Sequence, residues 1–282
     1  MHDPIFFSKM RQIKPLPAAH NLFSPSAAES WARFQKNFRF ATALADIPGY
    51  SFYMAGQWAQ AGTNAAGKLN VLYAGENARI AKANQIGALA EKYMSQFITS
   101  HLASQTENVR MGTVMMEKFI LEERNKDMRD VLDNMIRSIV IHSWSAIEVF
   151  FGHLCVGVRD KHPVCWAGPL QKRLNFKSRQ SYLDAYNHVF SDTPINDILL
   201  SDDVRALGAI RHVLVHRTGE MDDPFLSDVR ETKKLQGLFP AAHFSKSIGM
   251  DGRWAASLID DGANACFLLL NAVDQWLKAK TP

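Results

Sequence analysis

Two stretches of the chain place an arginine five positions ahead of a histidine. One is Arg137-Ser138-Ile139-Val140-Ile141-His142, the other Arg211-His212-Val213-Leu214-Val215-His216. Arginine offers a rigid fork that grips phosphate or carboxylate through two parallel hydrogen bonds. Histidine takes up and releases protons near neutral pH. Together they can clamp an anionic group and move a proton beside it. Each pair also has a purely structural reading. Arg137 and His142 lie inside a long apolar run, with no loop to admit a phosphate. His216 stands where a helix should end, and there an imidazolium is welcome for its charge alone. Five residues of helix turn about 500°, so arginine and histidine do not stack on one face. They converge only if the arginine reaches around the helix end or a second subunit faces them.

Other chemistries have weaker support. Gly62-Thr63-Asn64-Ala65-Ala66-Gly67-Lys68 matches seven positions of a phosphate-binding loop, but Leu69 stands where a magnesium-binding hydroxyl is needed. The preceding Met54 to Ala59 segment is not a buried strand, so a helical segment of small residues is the better reading. His153, Cys155, His162 and Cys165 are close enough in sequence to suggest zinc. However, His153 and Cys155 are two apart on a helix and point to opposite sides, and the set lacks knuckle spacing. No metal or cofactor is expected. The chain has no nucleophile elbow, no zincin helix motif and no dinucleotide-binding glycine fingerprint.

The elements that must carry these residues read as helices throughout. Residues 1–25 hold Pro4, Pro15, Pro17 and Pro25 and read as an extended arm. Ser24-Pro25 then supplies a cap and a first-turn proline for a helix over 27–46, with Trp31, Phe34, Phe38, Ala41 and Leu44 at helical spacing. Weak, interrupted helix over 55–75 and helices over 76–100 and 108–123 follow. An apolar helix over 127–158 should be central and buried. Shorter helices are expected at 178–189 and from a Ser201 cap to Arg217, with Asp202 and Asp203 in the positive first turn. Residues 218–254 read as loop, and 255–278 as a final helix. The fold class is all-α, with an N-terminal arm and helical extension over 1–124 and a helical bundle over 125–282.

Composition sets the class. The 282 residues are 47% hydrophobic and 21% charged, which is globular rather than disordered. Three cysteines without framework spacing read as reduced thiols in a cytoplasmic protein. No secretion signal is evident, and no stretch approaches 18 uninterrupted apolar residues, so no membrane role is expected. The net charge of +4 is compatible with an anionic partner. Lys172, Arg173, Lys177 and Arg179 form a basic run that either tracks a nucleic-acid backbone or is a solvated face.

The stretch Leu207-Gly208-Ala209-Ile210-Arg211-His212-Val213-Leu214-Val215-His216-Arg217-Thr218-Gly219-Glu220-Met221-Asp222-Asp223 resembles the HEPN domain. This is the helical fold of many prokaryotic ribonucleases that work without metal. In that family an Arg followed by a polar residue precedes a His at a helix end, with four residues between them. A turn and an acidic residue come next. Ser143-Trp144-Ser145-Ala146-Ile147-Glu148-Val149-Phe150 resembles the family's preceding helix, with Ser145 to Glu148 one residue closer than usual. The resemblance covers about residues 127–280. It implies an endoribonuclease acting on tRNA or other RNA, as a toxin or anti-phage effector. Arg211 and His216 would be catalytic, with Glu148, His212 and Arg217 near the substrate. Glu148 is either a buried partner of the active-site helix or an exposed charge. The resemblance further implies a homodimer whose Arg/His sets share one cleft. An antitoxin or defence-complex partner would bind through the N-terminal extension. Some HEPN domains are non-catalytic, so a dimerisation or RNA-binding module is the alternative.

Overall fold

Ser24 opens the first long helix as its composition demands: the side chain accepts a hydrogen bond from Ala27 N–H, and Pro25 occupies the first turn. In the computed structural model this is α1, Pro25–Ala43. The described residues are 6–19, 21–49, 85, 88, 114, 117, 126–162, 179–240 and 246–280. The remaining helices among them are α2 (Lys126–Lys161), α3 (Arg179–Val189), α4 (Thr193–Leu200), α5 (Asp202–His216), α6 (Asp223–Glu231), α7 (Lys233–Leu238) and α8 (Gly252–Lys280). No strand occurs among the described residues, and one isolated antiparallel bridge joins Glu220 to Ser247. The protein is all-α. The helices expected over 55–123 and the phosphate-loop-like segment at 62–68 fall outside the described residues, apart from helical positions such as Gln85 and Glu117.

The chain divides into two compact units. One contains residues 1–44 together with 126–282, and the other residues 45–125. This redraws the boundary expected at residue 125, because the first 44 residues belong to the bundle. The reason is the aromatic face of α1. Trp31, Phe34, Phe38 and Ala41 recur at helical spacing and are all buried. The Phe34 and Phe150 rings lie 5.0 Å apart, and Trp31 meets Phe150 edge-on at 5.7 Å and Phe267 at 5.6 Å. One cluster thus joins α1, α2 and α8. Burying each large aromatic contributes on the order of 2 kcal/mol. The start of α1 is fixed as well. Asp274 of α8, itself buried, accepts hydrogen bonds from the Phe23 and Ser24 N–H groups at 3.1 and 2.9 Å. Lys278 balances its charge at 3.1 Å.

The expected arm also differs. Residues Phe7–Gln12 form a 3-10 helix whose Phe7 and Met10 are completely buried. The arm docks against α8 where Gly252 leaves room for it, since a Cβ there would meet the Phe6 carbonyl oxygen at 2.2 Å.

Among the described residues, α2 is the one helix long and apolar enough by length and composition to cross a bilayer. Here its apolar residues are core. Ile136, Ile139, Val140, Ile147, Phe150, Phe151 and Leu154 are buried among the helices packed on it. Gly262 of α8 allows the closest crossing, where a Cβ would meet Leu207 of α5 at 2.7 Å and Ile147 of α2 at 3.0 Å. Lys234 of α7 ties α5 to α8 by pairing with both Asp203 and Asp261.

Candidate active site

Helix α5 carries the second arginine–histidine pair, and its ends are well defined. Ser201 accepts from Val204 N–H at the start, and His216 is its last residue. The chain then turns through Thr218 and Gly219, both with positive φ, and the Arg217 and Gly219 N–H groups both return to the Val213 carbonyl. Arg137 holds this turn from α2. It bonds Asp133 at 2.5 Å, the Ile248 carbonyl at 2.9 Å and the Thr218 carbonyl at 3.4 Å. The first arginine–histidine pair therefore takes its structural reading: Arg137 clamps backbone, and His142 is exposed.

A cleft of about 360 Å³ opens between α2, α3 and α5. Glu148, Arg211, His212 and His216 all line it, together with Trp144 and Tyr182. Arg211 and His216 thus share a cleft within one chain. Trp144 packs closely on α5 because Gly208 has no side chain, as a Cβ there would meet the indole at 2.9 Å.

The charges in the cleft are unequally matched. Arg205 is fully engaged, with Asp228 at 2.7 Å and Glu231 at 2.5 Å. Arg211 is not. Its guanidinium comes within only 3.9 Å of Glu148 Oε2, beyond hydrogen-bond range, and its buried Nε has no hydrogen-bond partner. Glu148 itself is held by Tyr182, whose hydroxyl donates to Oε1 at 2.8 Å. Burial, and then the charge and hydrogen bond of Glu148, push the Tyr182 phenol far above its ordinary pKa against the opposing effect of Arg211. Tyr182 is thus a fixed neutral donor. The carboxylate has both an α2 backbone and a phenol setting its direction.

His212 and His216 are one helical turn apart on α5, with ring centroids 4.8 Å apart, and both are exposed. Arg217 does not line the cleft. Its Nε donates to Asp222 at 3.0 Å, and its side chain is otherwise exposed. It follows the helix end, so its side chain departs from the α5 face that carries the histidines. Burial of Asp222 raises its pKa, but the Phe225 N–H, the Arg217 fork and the His212 charge outweigh this and hold it below the ordinary range.

Among the described residues, the zinc set does not come together. Cys155 is buried in the core, with its thiol pushed up by burial against the pull of Arg159, while His153 on the same helix is exposed. His162 faces the Ser24 hydroxyl at 3.0 Å. Cys165, Lys172, Arg173 and Lys177 lie outside the described residues.

Three lining residues carried no signal in the sequence. Tyr182 reaches Glu148 across 34 positions, and Arg205 and Asp228 join helices 23 positions apart. Such pairings depend on how helices dock, which no local spacing encodes. No family model matches this chain, and no curated protein or solved structure is detectably similar to it.

Proposed function

We propose that this chain is a metal-independent endoribonuclease of the HEPN type, acting in the cytoplasm on tRNA or other RNA as a toxin or anti-phage effector. The observation that carries this reading is the state of Arg211. It lines an open cleft beside two exposed imidazoles, yet makes no hydrogen bond through its buried Nε. A cation held without a close partner is ready to bind an anion. A phosphodiester supplies the anion, and its neighbouring 2′-hydroxyl supplies the proton to be moved.

In this mechanism His216 removes the 2′-hydroxyl proton as O2′ attacks phosphorus. The bond from phosphorus to O5′ breaks, and the leaving oxygen is protonated. Arg211 neutralises the charge that gathers on the non-bridging oxygens. The products are a 2′,3′-cyclic phosphate and a 5′-hydroxyl. Glu148, oriented by Tyr182, keeps the guanidinium facing the cleft. As part of the same proposal two chains pair with their clefts facing each other.

The test is RNA cleavage in excess EDTA. Arg211→Ala and His216→Ala should each lose about 100-fold or more. Arg211→Lys should not restore activity, because a point charge lacks the fork. Activity abolished by EDTA, or retained in both alanine variants, would reject the mechanism.

A second reading is a non-catalytic module that assembles a defence or regulatory complex. The unit of residues 45–125 favours it, since the ribonuclease reading gives that unit no role. An antitoxin or other partner would dock there. Overexpression separates the two readings: growth arrest relieved by His216→Ala belongs to the nuclease.

A further inference from the structure

We infer that His212 is the second proton-transfer group of the cleft, so that one chain holds both the base and the acid for the reaction proposed above. The inference rests on that ribonuclease reading. Transesterification moves two protons: one leaves the 2′-hydroxyl and one joins the departing O5′. A single imidazole serves one of these in each turnover, and the resemblance gives that part to His216 while placing His212 only near the substrate. His212 sits one turn before His216 on α5, lines the same cleft, and is equally exposed, with the two rings 4.8 Å apart.

The groups that share the cleft with His212 are Arg211 and His216 on its own helix and Glu148 on α2. Asp222, in the turn before α6, is engaged by the Arg217 Nε and the Phe225 N–H. The mechanism proposed above gives His216 the part of the base, so His212 takes that of the acid. The two apical oxygens of an in-line displacement lie on opposite sides of phosphorus. Acid and base must splay around them, and two exposed side chains on successive turns have the rotamer freedom to do so.

The experiment uses an oligoribonucleotide containing the wild-type cut site, with either oxygen or sulfur as the 5′ leaving atom. A thiolate leaves without protonation, so removing the acid matters only for oxygen. His212→Ala should cut the oxygen substrate about 100-fold more slowly than wild type and the sulfur substrate at nearly the wild-type rate. His216→Ala should be slow on both. His212→Gln should match His212→Ala, since glutamine keeps a hydrogen-bonding head but transfers no proton. Mixing His212→Ala with His216→Ala protein should recover nothing if acid and base act within one chain. Any of four results overturns the inference: unimpaired cleavage of the oxygen substrate by His212→Ala, equal impairment on both substrates, rescue by glutamine, or activity regained on mixing. Wild type that cuts neither substrate would reject the ribonuclease reading as well.

Discussion

Arg205 and Arg211 occupy the same helix and line the same cleft, yet the chemistry open to them differs. Two carboxylates saturate Arg205, so it fastens α5 to α6. Arg211 has only a distant carboxylate and a buried Nε without a hydrogen-bond partner. The sequence distinguished Arg211 through the histidine five positions on, but nothing local revealed Tyr182, which orients Glu148. Asp222 offers a test at this scale. Its carboxyl titrates below the ordinary range, so the stability it contributes is complete above about pH 4 and is lost as pH falls through the depressed value. Asp222→Asn keeps the cap on Phe225 N–H but loses the charge facing Arg217. Because Arg217 is largely exposed, the variant should lose only about 1 kcal/mol at pH 7. The gap to wild type should close as pH drops toward 3. Chemical denaturation at several pH values measures it, and a gap independent of pH would show that the charge contributes nothing.

Helices with long periodic faces were legible: α1, α2, α5 and α8 fall within a few residues of their expected spans. The short α4, α6 and α7 were missed, because six to nine residues give too little periodicity to stand out. Two of them still carried start signals, in Asp192 with Pro194 and Asp222 with Pro224, where an aspartate caps and a proline sits in the first turn. The end of α5 depends on an element far away in sequence. Gly219 has φ +92°, and a Cβ there would meet the Arg137 guanidinium at 2.2 Å. Gly219→Ala should therefore cost about 2 kcal/mol through backbone strain and loss of the Arg137 clamp. On the ribonuclease reading it should also lower cleavage, because His216 ends the helix that this turn closes. Gly237, with nothing near its missing Cβ, is the control, and Gly237→Ala should be neutral or slightly stabilising. Thermal melts of the two variants side by side decide the matter. Equal stability would mean the turn tolerates a side chain.

At the scale of the molecule, the division between extension and bundle was the part least visible in the sequence. Apolar spacing shows that α1 has a face to bury but does not say against what. The answer lies beyond the whole 45–125 unit, on α2 and α8. A chain beginning at residue 126 would leave Phe150 and its neighbours uncovered. It should melt without cooperativity and bind a dye specific for exposed apolar surface. Cooperative melting within about 5 °C of the intact protein would show that α1 is dispensable.

The hydrogen bond from Ser24 N–H to Asp274 links residues 250 positions apart, and this sets a schedule for synthesis. At about 5–20 residues per second a ribosome needs on the order of 10–50 s to travel that distance. Throughout that time the aromatic stripe of α1 waits without the helix that seals it. Every residue of the cleft emerges earlier than α8, which braces the helices beneath it. A nascent chain halted before Gly252 would hold every residue of the cleft with no α8 to brace the helices that align them.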